Sequence, residues 1–234
     1  MNVHLKTVCL RNTLRNPAPS TPPGKKRPAA VVEHEERRIS AGYSHGNASE
    51  ELLFEILTRE IVKIYKALST TEIRCVIEDA KIAHITKLDE KQWFNLIECH
   101  QTLLHHHYNL LRYTQHPVGD GEIFATPVTC KIPSRLLHQG IYALLEIVKA
   151  RLPDSHDYMT SSVKHAYGLM TLLIEVVPRF ENVWLECLGD LASYMMCLDP
   201  AENRTWKAVS SQWYHKALDK NPGKGSLYHR LGNL

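Results

Sequence analysis

The sequence predicts an all-α fold, in which an antiparallel bundle of long helices runs into shorter helix hairpins. Apolar residues recur at intervals of three and four along most of the chain, which is typical of helices packed on one face. Only 11 glycines and 12 prolines occur among the 234 residues, so helix breakers are few. No segment of the sequence alternates polar and apolar residues as a half-buried strand does. Hydrophobic residues make up 44% of the chain, enough for a substantial core.

The first 47 residues are predicted to form a disordered basic tail. Residues 1–32 carry six cations and no acid, and the following acids leave the rest of the chain mildly acidic. The stretch NPAPSTPPGKKRPAA is too poor in apolar residues to offset the entropy lost on ordering. Its Lys25-Lys26-Arg27 triplet fits a nuclear-localisation signal or a solvated linker. A mitochondrial transit peptide also stays open, although prolines would soon interrupt its helix.

Two long helices are predicted to follow the tail. Asn47, with Glu50 three residues later, is a typical helix start because the side chains can cap free backbone amides. Helical spacing of apolar residues continues from there and resumes after the polar stretch at 69–71. Asp89 and Gln92 repeat the same start signal and open the second helix.

The second helix is predicted to end at Pro117, and residues 117–133, with three prolines, are predicted to form a loop. Helical spacing then predicts three helices, at about 134–152, 156–177 and 181–197. The segment 199–202 combines a capping aspartate with a proline in the first turn, which predicts a helix that runs to Lys220. Ser226 is predicted to cap a seventh helix.

The C-terminal region carries a pattern typical of tetratricopeptide repeats, in which small residues let paired helices approach and large residues fill the space between them. The second-helix pattern is matched by Ser210, Tyr214, Ala217 and Pro222. Downstream, the first-helix pattern is matched by Tyr228, Leu231 and Gly232. Upstream it is matched by Leu185, Leu188, Gly189 and Ala192, provided that the loop around residues 199–204 carries an insertion. These three matches in consistent order predict a repeat-like helix hairpin.

Three segments, at 184–192, 213–217 and 225–231, resemble the core motifs of the ever-shorter-telomere and nonsense-mediated-decay adaptor family, particularly its filamentous-fungal members. They read WLECLGDLA, WYHKA and GSLYHRL, and the resemblance extends over about residues 50–234. It implies a domain at 48–234 with a 14-3-3-like bundle that runs into tetratricopeptide-like hairpins. Family members continue well beyond the equivalent of Leu234. The chain therefore resembles the front portion of such a protein, and its last hairpin is expected to expose apolar side chains, namely Leu227, Leu231 and Leu234.

The chain departs from the family at the phosphopeptide pocket. In phosphopeptide-binding relatives, a lysine that follows the tryptophan of a helix and the arginines of a Gly-Asp-Ile-Ala-Arg-Tyr-Arg motif hold the phosphate. Glu98 stands at the lysine position here, while Ser193 and Met195 replace the two arginines. Without these cations the charge-assisted hydrogen bonds to a phosphate are lost, so phosphoserine binding in the family manner is not expected.

The resemblance implies a non-catalytic adaptor of the telomerase-activating and nonsense-mediated mRNA decay type. Its expected partners are proteins of RNA-decay or telomerase complexes, and its expected location is the nucleus with shuttling to the cytoplasm. No motif for nucleophilic catalysis or phosphate cradling occurs, so no catalytic residue and no cofactor is predicted. The residues 105–107 are consecutive histidines, which point about 100° apart on a helix and so do not predict a metal site. The six scattered cysteines predict reduced, individually buried thiols.

Direct binding of RNA or single-stranded DNA is the alternative function, through the basic segment 201–234 and the tail. Six cations of the segment are the candidate contacts, namely Arg204, Lys207, Lys216, Lys220, Lys224 and Arg230. Interspersed aromatic residues could stack on bases. The same aromatic residues could instead fill the space within the hairpin, while the lysines complement a helix C-terminus.

Overall fold

The structure, a computed structural model, describes residues 32–234, with side chains from residue 48 onwards. No strand occurs in this part of the chain, so the predicted all-α class is confirmed. The α-helices are α1 (Val32–Ile82), α2 (Glu90–Tyr113), α3 (Gly121–Thr129), α4 (Ile132–Arg135), α5 (Ala143–Lys149), α6 (His156–Val176), α7 (Glu181–Leu198), α8 (Asn203–Lys220) and α9 (Gly225–Gly232). A π-helical segment, Leu136–Tyr142, joins α4 to α5, and a 3₁₀ turn, Pro178–Phe180, precedes α7.

The first helix begins earlier in the chain than predicted. It begins at Val32 rather than near Asn47, so helix occupies the last part of the predicted tail. Thr70 and Thr71 interrupt the apolar pattern but stay helical, because their hydroxyls donate to the carbonyls one turn back at 3.0 and 2.9 Å. The predicted disorder of residues 1–31, including the Lys25-Lys26-Arg27 triplet, lies outside the described residues.

The start of α2 confirms the predicted capping pair. The Asp89 carboxylate accepts from the Gln92 amide at 2.7 Å, and the Gln92 side chain accepts from the Asp89 amide at 2.9 Å. Both contacts satisfy amides that have no partner inside the helix. From this start α2 packs against α1, and together they bury one long apolar face.

The predicted loop at 117–133 is wrong, because most of it is the helix α3. The Asp120 carboxylate caps this helix by accepting from the Ile123 amide at 2.8 Å. Pro127 lies inside α3 and loses one backbone hydrogen bond, which a helix of this short length tolerates. A left-handed residue, Lys131 with φ of 52°, then turns the chain into α4.

The third predicted helix is present but contains the π-helical segment. Gly140 lies in this segment and against α2, where an added Cβ would approach the Leu104 side chain to 2.8 Å. The fully buried His100 of α2 lies beside it, with its Nδ1 3.2 Å from the Gly140 carbonyl and its Nε2 3.1 Å from Asp79. The close approach therefore ties α1, α2 and the π-helical segment together.

The C-terminal helices follow the prediction closely, with two differences. The helix predicted to start at Asp199 begins at Asn203 as α8, and Asp199 instead caps the preceding turn through the Glu202 amide at 3.3 Å. Leu227 of α9, predicted to be exposed, is fully buried in the small apolar cluster of the hairpin, whereas Leu231 and Leu234 are half-buried.

Candidate functional site

The helices α7 and α8 approach each other closely at Gly189. The Tyr214 ring lies where a side chain at this position would be, and the Ser210 hydroxyl donates to the Gly189 carbonyl at 2.8 Å. The predicted small and large positions of the hairpin thus meet across it. The other predicted core positions of α7 and α8 are buried, namely Leu185, Leu188, Ala192 and Ala217.

A single carboxylate joins the bundle to this hairpin. Asp190 accepts from the Tyr142 hydroxyl at 2.7 Å through one oxygen, and from the Tyr214 hydroxyl at 2.7 Å and Arg230 Nη1 at 2.6 Å through the other. Burial, reinforced by the Asp190 charge, raises the pKa of both tyrosines above its ordinary value. The two hydroxyls therefore remain donors, and Asp190 links the π-helical segment, α8 and α9.

Three of the six candidate nucleic-acid contacts form ion pairs with acids of α7. Lys224 Nζ lies 2.6 Å from Glu186, Lys220 Nζ lies 2.8 Å from Glu181, and Arg230 pairs with Asp190 as described above. Their charges are thereby compensated within the hairpin. A phosphate would have to compete with these carboxylates for each cation.

The other three candidates do not share one surface. Arg204, Lys207 and Lys216 are exposed, and Lys216 Nζ lies 4.4 Å from the centre of the Trp213 ring. From Lys207 to Lys216 the helix makes about two and a half turns, so the two side chains leave opposite faces of α8. The geometry therefore gives no continuous basic stripe along this helix.

The two tryptophans of α8 pack against α6. The rings of Trp206 and Trp213 each meet Tyr167 edge to face at 6.4 Å, and the Trp213 indole donates to the Tyr167 hydroxyl at 2.8 Å. These contacts fill the space between helices. Tyr228 of α9 remains 55% exposed, while its hydroxyl donates to the Pro222 carbonyl at 3.1 Å.

Among the described residues, the two family phosphopeptide positions have no contact partner in common. Glu98 is half-buried on α2 and pairs with Arg74 of α1 at 2.8 Å. The Ser193 hydroxyl donates to the Gly189 carbonyl at 3.0 Å and lies 2.8 Å from the Ser210 hydroxyl. A cavity of about 390 Å³ beside Ser193 has mainly apolar lining and one lysine.

That lysine is poorly placed to hold a phosphate. Lys149 pairs with Glu146 at 3.5 Å and lies 5.9 Å from the centre of the Tyr194 ring. A phosphate site needs several cations, and Lys149 is the one lysine or arginine among the residues that line this cavity.

A second cavity, the junction groove, opens where the bundle meets the C-terminal hairpin and has a volume of about 450 Å³. Its walls come from the end of α3, the start of α4, the π-helical segment, α7 with the 3₁₀ turn before it, and α9 with its first-turn neighbour Lys224. We define it by its apolar residues Val128, Leu137, Phe180 and Val183 and its charged residues Lys131, Glu186, Asp190, Lys224 and Arg230. Apolar walls with a few charged groups are typical of a binding site for another molecule.

Lys131 is the feature of the junction groove that sequence reasoning missed. It is exposed, it has a left-handed backbone, and its ammonium group forms no ion pair with the described residues. A non-glycine residue in this backbone region is costly and often marks a functional position. The only sequence signal was its place before Ile132-Pro133, inside the segment predicted to be a loop.

The histidine run faces three environments. His105 is exposed, His106 is half-buried, and His107 is fully buried with its Nδ1 donating to the Leu103 carbonyl at 2.9 Å. Burial lowers the pKa of His107 to about 3, so this ring is neutral at physiological pH. Within residues 48–234 no three histidine, cysteine or acidic side chains are grouped as metal ligands.

None of the described helices has the length and apolar character to cross a membrane.

The chain is similar to EST/SMG-like protein 2 of Saccharomyces cerevisiae, with 24% identity over 107 residues. The aligned region covers 44% of this chain and 9% of that protein, so the chain spans a small part of the relative's length. This weak similarity supports the resemblance drawn from the sequence motifs. No family model matches the chain, and no solved structure matches it.

Proposed function

We propose that the chain is a non-catalytic, nuclear adaptor of the telomerase-activating and nonsense-mediated mRNA decay type, with a 14-3-3-like bundle and tetratricopeptide-like hairpins. Its partner is a protein that binds in the junction groove. The motif resemblance and the similarity to EST/SMG-like protein 2 support the type of role. The combination of apolar walls with Lys131, which forms no ion pair among the described residues, supports a protein partner.

The charges of the groove favour a segment that carries an acid beside apolar side chains. Lys224 and Arg230 are each matched by a carboxylate, which leaves the ammonium of Lys131 as the excess charge among the groove residues. An acidic side chain of the partner would pair with Lys131 at the rim, while apolar side chains would cover Val128 and Leu137. Buried apolar contacts of this kind supply most of the affinity of a protein interface.

A matched pair of valine substitutions tests the groove. Val128→Glu places a charge on its apolar wall, where 53% of the valine is exposed, so the fold should be retained. Val76→Glu makes the same change on α1, where 62% of the valine is exposed. Capture from nuclear extract should yield proteins of RNA-decay or telomerase complexes, and Val128→Glu should lower their recovery by about ten-fold, a loss of ~1.4 kcal/mol. Equal recovery with both variants would contradict binding in the groove.

Direct nucleic-acid binding is tested by removing the three of the six candidate cations that form no ion pair with the residues described in the structure. We expect the triple variant Arg204→Ala, Lys207→Ala, Lys216→Ala to bind single-stranded RNA and DNA as the unaltered full chain does, with the same salt dependence. A backbone contact for each cation would instead lower the slope of log affinity against log salt by about one unit per contact. Such a change, measured by salt titration of a labelled oligonucleotide, would place nucleic-acid recognition ahead of the adaptor function.

A further inference from the structure

Two cysteine side chains meet between the long helices α1 and α2. The sulfur atoms of Cys75 and Cys99 lie 2.8 Å apart, and the two residues are 2% and 0% exposed. The preceding residues, Arg74 and Glu98, form an ion pair at 2.8 Å between the same two helices on the outer surface. The two thiols therefore meet as a pair, in contrast to the individually buried thiols that the sequence predicts.

We propose that Cys75 and Cys99 are an oxidation site at which a peroxide produces a reversible disulfide between α1 and α2. A disulfide requires sulfur atoms about 2.0 Å apart and joined by short, constrained side chains. The sulfur atoms are already in contact, so bond formation needs a shift of less than an ångström shared by two side chains. Such a shift lies within what rotamer adjustment provides, and the helices keep their positions.

The oxidation takes place in two balanced steps. One thiol loses its proton and attacks a peroxide oxygen, so that an S–O bond forms, the O–O bond breaks and the departing hydroxide takes up a proton to become water. The second sulfur then attacks the resulting sulfenic acid, which forms the S–S bond, breaks the S–O bond and releases a second water. The two thiols lose two electrons and two protons in total, and the hydrogen peroxide is reduced to two water molecules.

Burial makes this reaction slow and selective for small oxidants. Removal from water raises the pKa of both thiols, so little thiolate is present at neutral pH. A peroxide must reach the sulfur atoms when α1 and α2 separate transiently beside Arg74 and Glu98. Cys197 of α7 is exposed and should react with the same oxidant first and independently.

The disulfide would stabilise the bundle. It closes a loop between positions separated by 24 residues, and the loss of freedom in the unfolded chain favours the folded state. We expect oxidation to raise the thermal midpoint by ~5–10 °C, and a dithiol reductant to reverse the rise. The α1–α2 pair would then resist opening under oxidising conditions.

Treatment of the full chain with hydrogen peroxide, followed by alkylation after unfolding and peptide mass spectrometry, tests the site directly. We expect a linked peptide pair that contains Cys75 and Cys99, with both sulfurs blocked to alkylation and released together by dithiothreitol. The variant Cys197→Ser should form the same link. In Cys75→Ala and Cys99→Ala, the remaining thiol can reach the sulfenic acid but should form no link, and the rise in thermal midpoint should be absent.

Full alkylation of Cys75 and Cys99 after Cys197 has been consumed would overturn the proposal, as would a link from either of them to another cysteine. The mass spectrum of the unaltered chain gives this result without relying on the folding of any variant. Circular dichroism of the two alanine variants separates a lost link from a lost fold.

Discussion

Replacement of Gly189 by alanine is expected to lower the free energy of unfolding by about 3 kcal/mol, the upper part of the usual range for overpacking. The added Cβ would overlap the ring of Tyr214, which is 2% exposed and hydrogen-bonded to Asp190. The ring cannot move aside without losing these contacts, so α7 and α8 would have to separate. The same overlap would push apart the Ser210 hydroxyl and the Gly189 carbonyl. Urea unfolding followed by circular dichroism measures the change.

Gly168 provides the matched control for this substitution. It lies exposed in α6, and a Cβ there meets no atom within 4 Å, so Gly168→Ala should stabilise the helix by about 0.5–1 kcal/mol. The smaller side chain of Tyr214→Leu should recover part of the loss in a double variant with Gly189→Ala. A Gly189→Ala protein with unchanged stability would show that the two helices do not pack as closely as described.

Removal of Arg135 is expected to cost about 3–5 kcal/mol, because it leaves a buried carboxylate without its partner. The Arg135 guanidinium binds Glu72 through two contacts, at 2.7 Å from Nε and 2.5 Å from Nη2, and their side chains are only 10% and 11% exposed. It also lies 5.6 Å from the centre of the Tyr65 ring. We expect Arg135→Met to reduce the stability of the bundle accordingly in chemical unfolding.

Two further variants test whether the loss of stability in Arg135→Met comes from the buried charge that it leaves unpaired. The double variant Glu72→Gln with Arg135→Met removes both charges and should recover most of the stability, since apolar or neutral replacements of a buried pair are often well tolerated. Arg74→Ala breaks the exposed pair with Glu98 and should cost ~0–1 kcal/mol. If Arg74→Ala and Arg135→Met lowered the free energy of unfolding by similar amounts, the Arg135–Glu72 pair would not stabilise the bundle as a buried ion pair.

Local signals in the sequence predicted most of the helices, and contacts between distant residues explain the features that were not predicted. The Asp89–Gln92 pair lies within the first turn of α2, and the apolar spacing at 181–197 lies within α7. Each signal involves residues close together in the chain, so it is visible in the sequence. Proline and glycine between 117 and 133 suggested a loop, but one capping carboxylate and tertiary packing stabilise α3 there. Helix types are thus predicted more securely than their starts.

The candidate site could be predicted only in part for the same reason. The approach of α7 and α8 at Gly189 follows from a repeat pattern that the sequence carries. The pairing of Lys220 and Lys224 with acids of α7 does not, because the partners lie 39 and 38 positions away in the chain. Three of the six cations that cluster in the sequence are therefore paired with carboxylates in the fold. Lys131, a lysine outside that cluster, is the charge of the junction groove that has no ion pair among the described residues.

The tryptophans lie at different helix interfaces and can serve as intrinsic fluorescence probes of them. Trp93 of α2 stacks on Tyr158 of α6 at 4.5 Å, and Trp213 of α8 lies against Tyr167 of the same helix. The fully buried Trp184 donates its indole N–H to the Val177 carbonyl at 3.1 Å. Because indole emission depends on contact with water, Trp93 reports from the start of α6 and Trp213 from its middle, on separate interfaces. Fluorescence of variants that keep one of these two tryptophans can therefore distinguish a bundle that loosens from a C-terminal pair of helices that detaches.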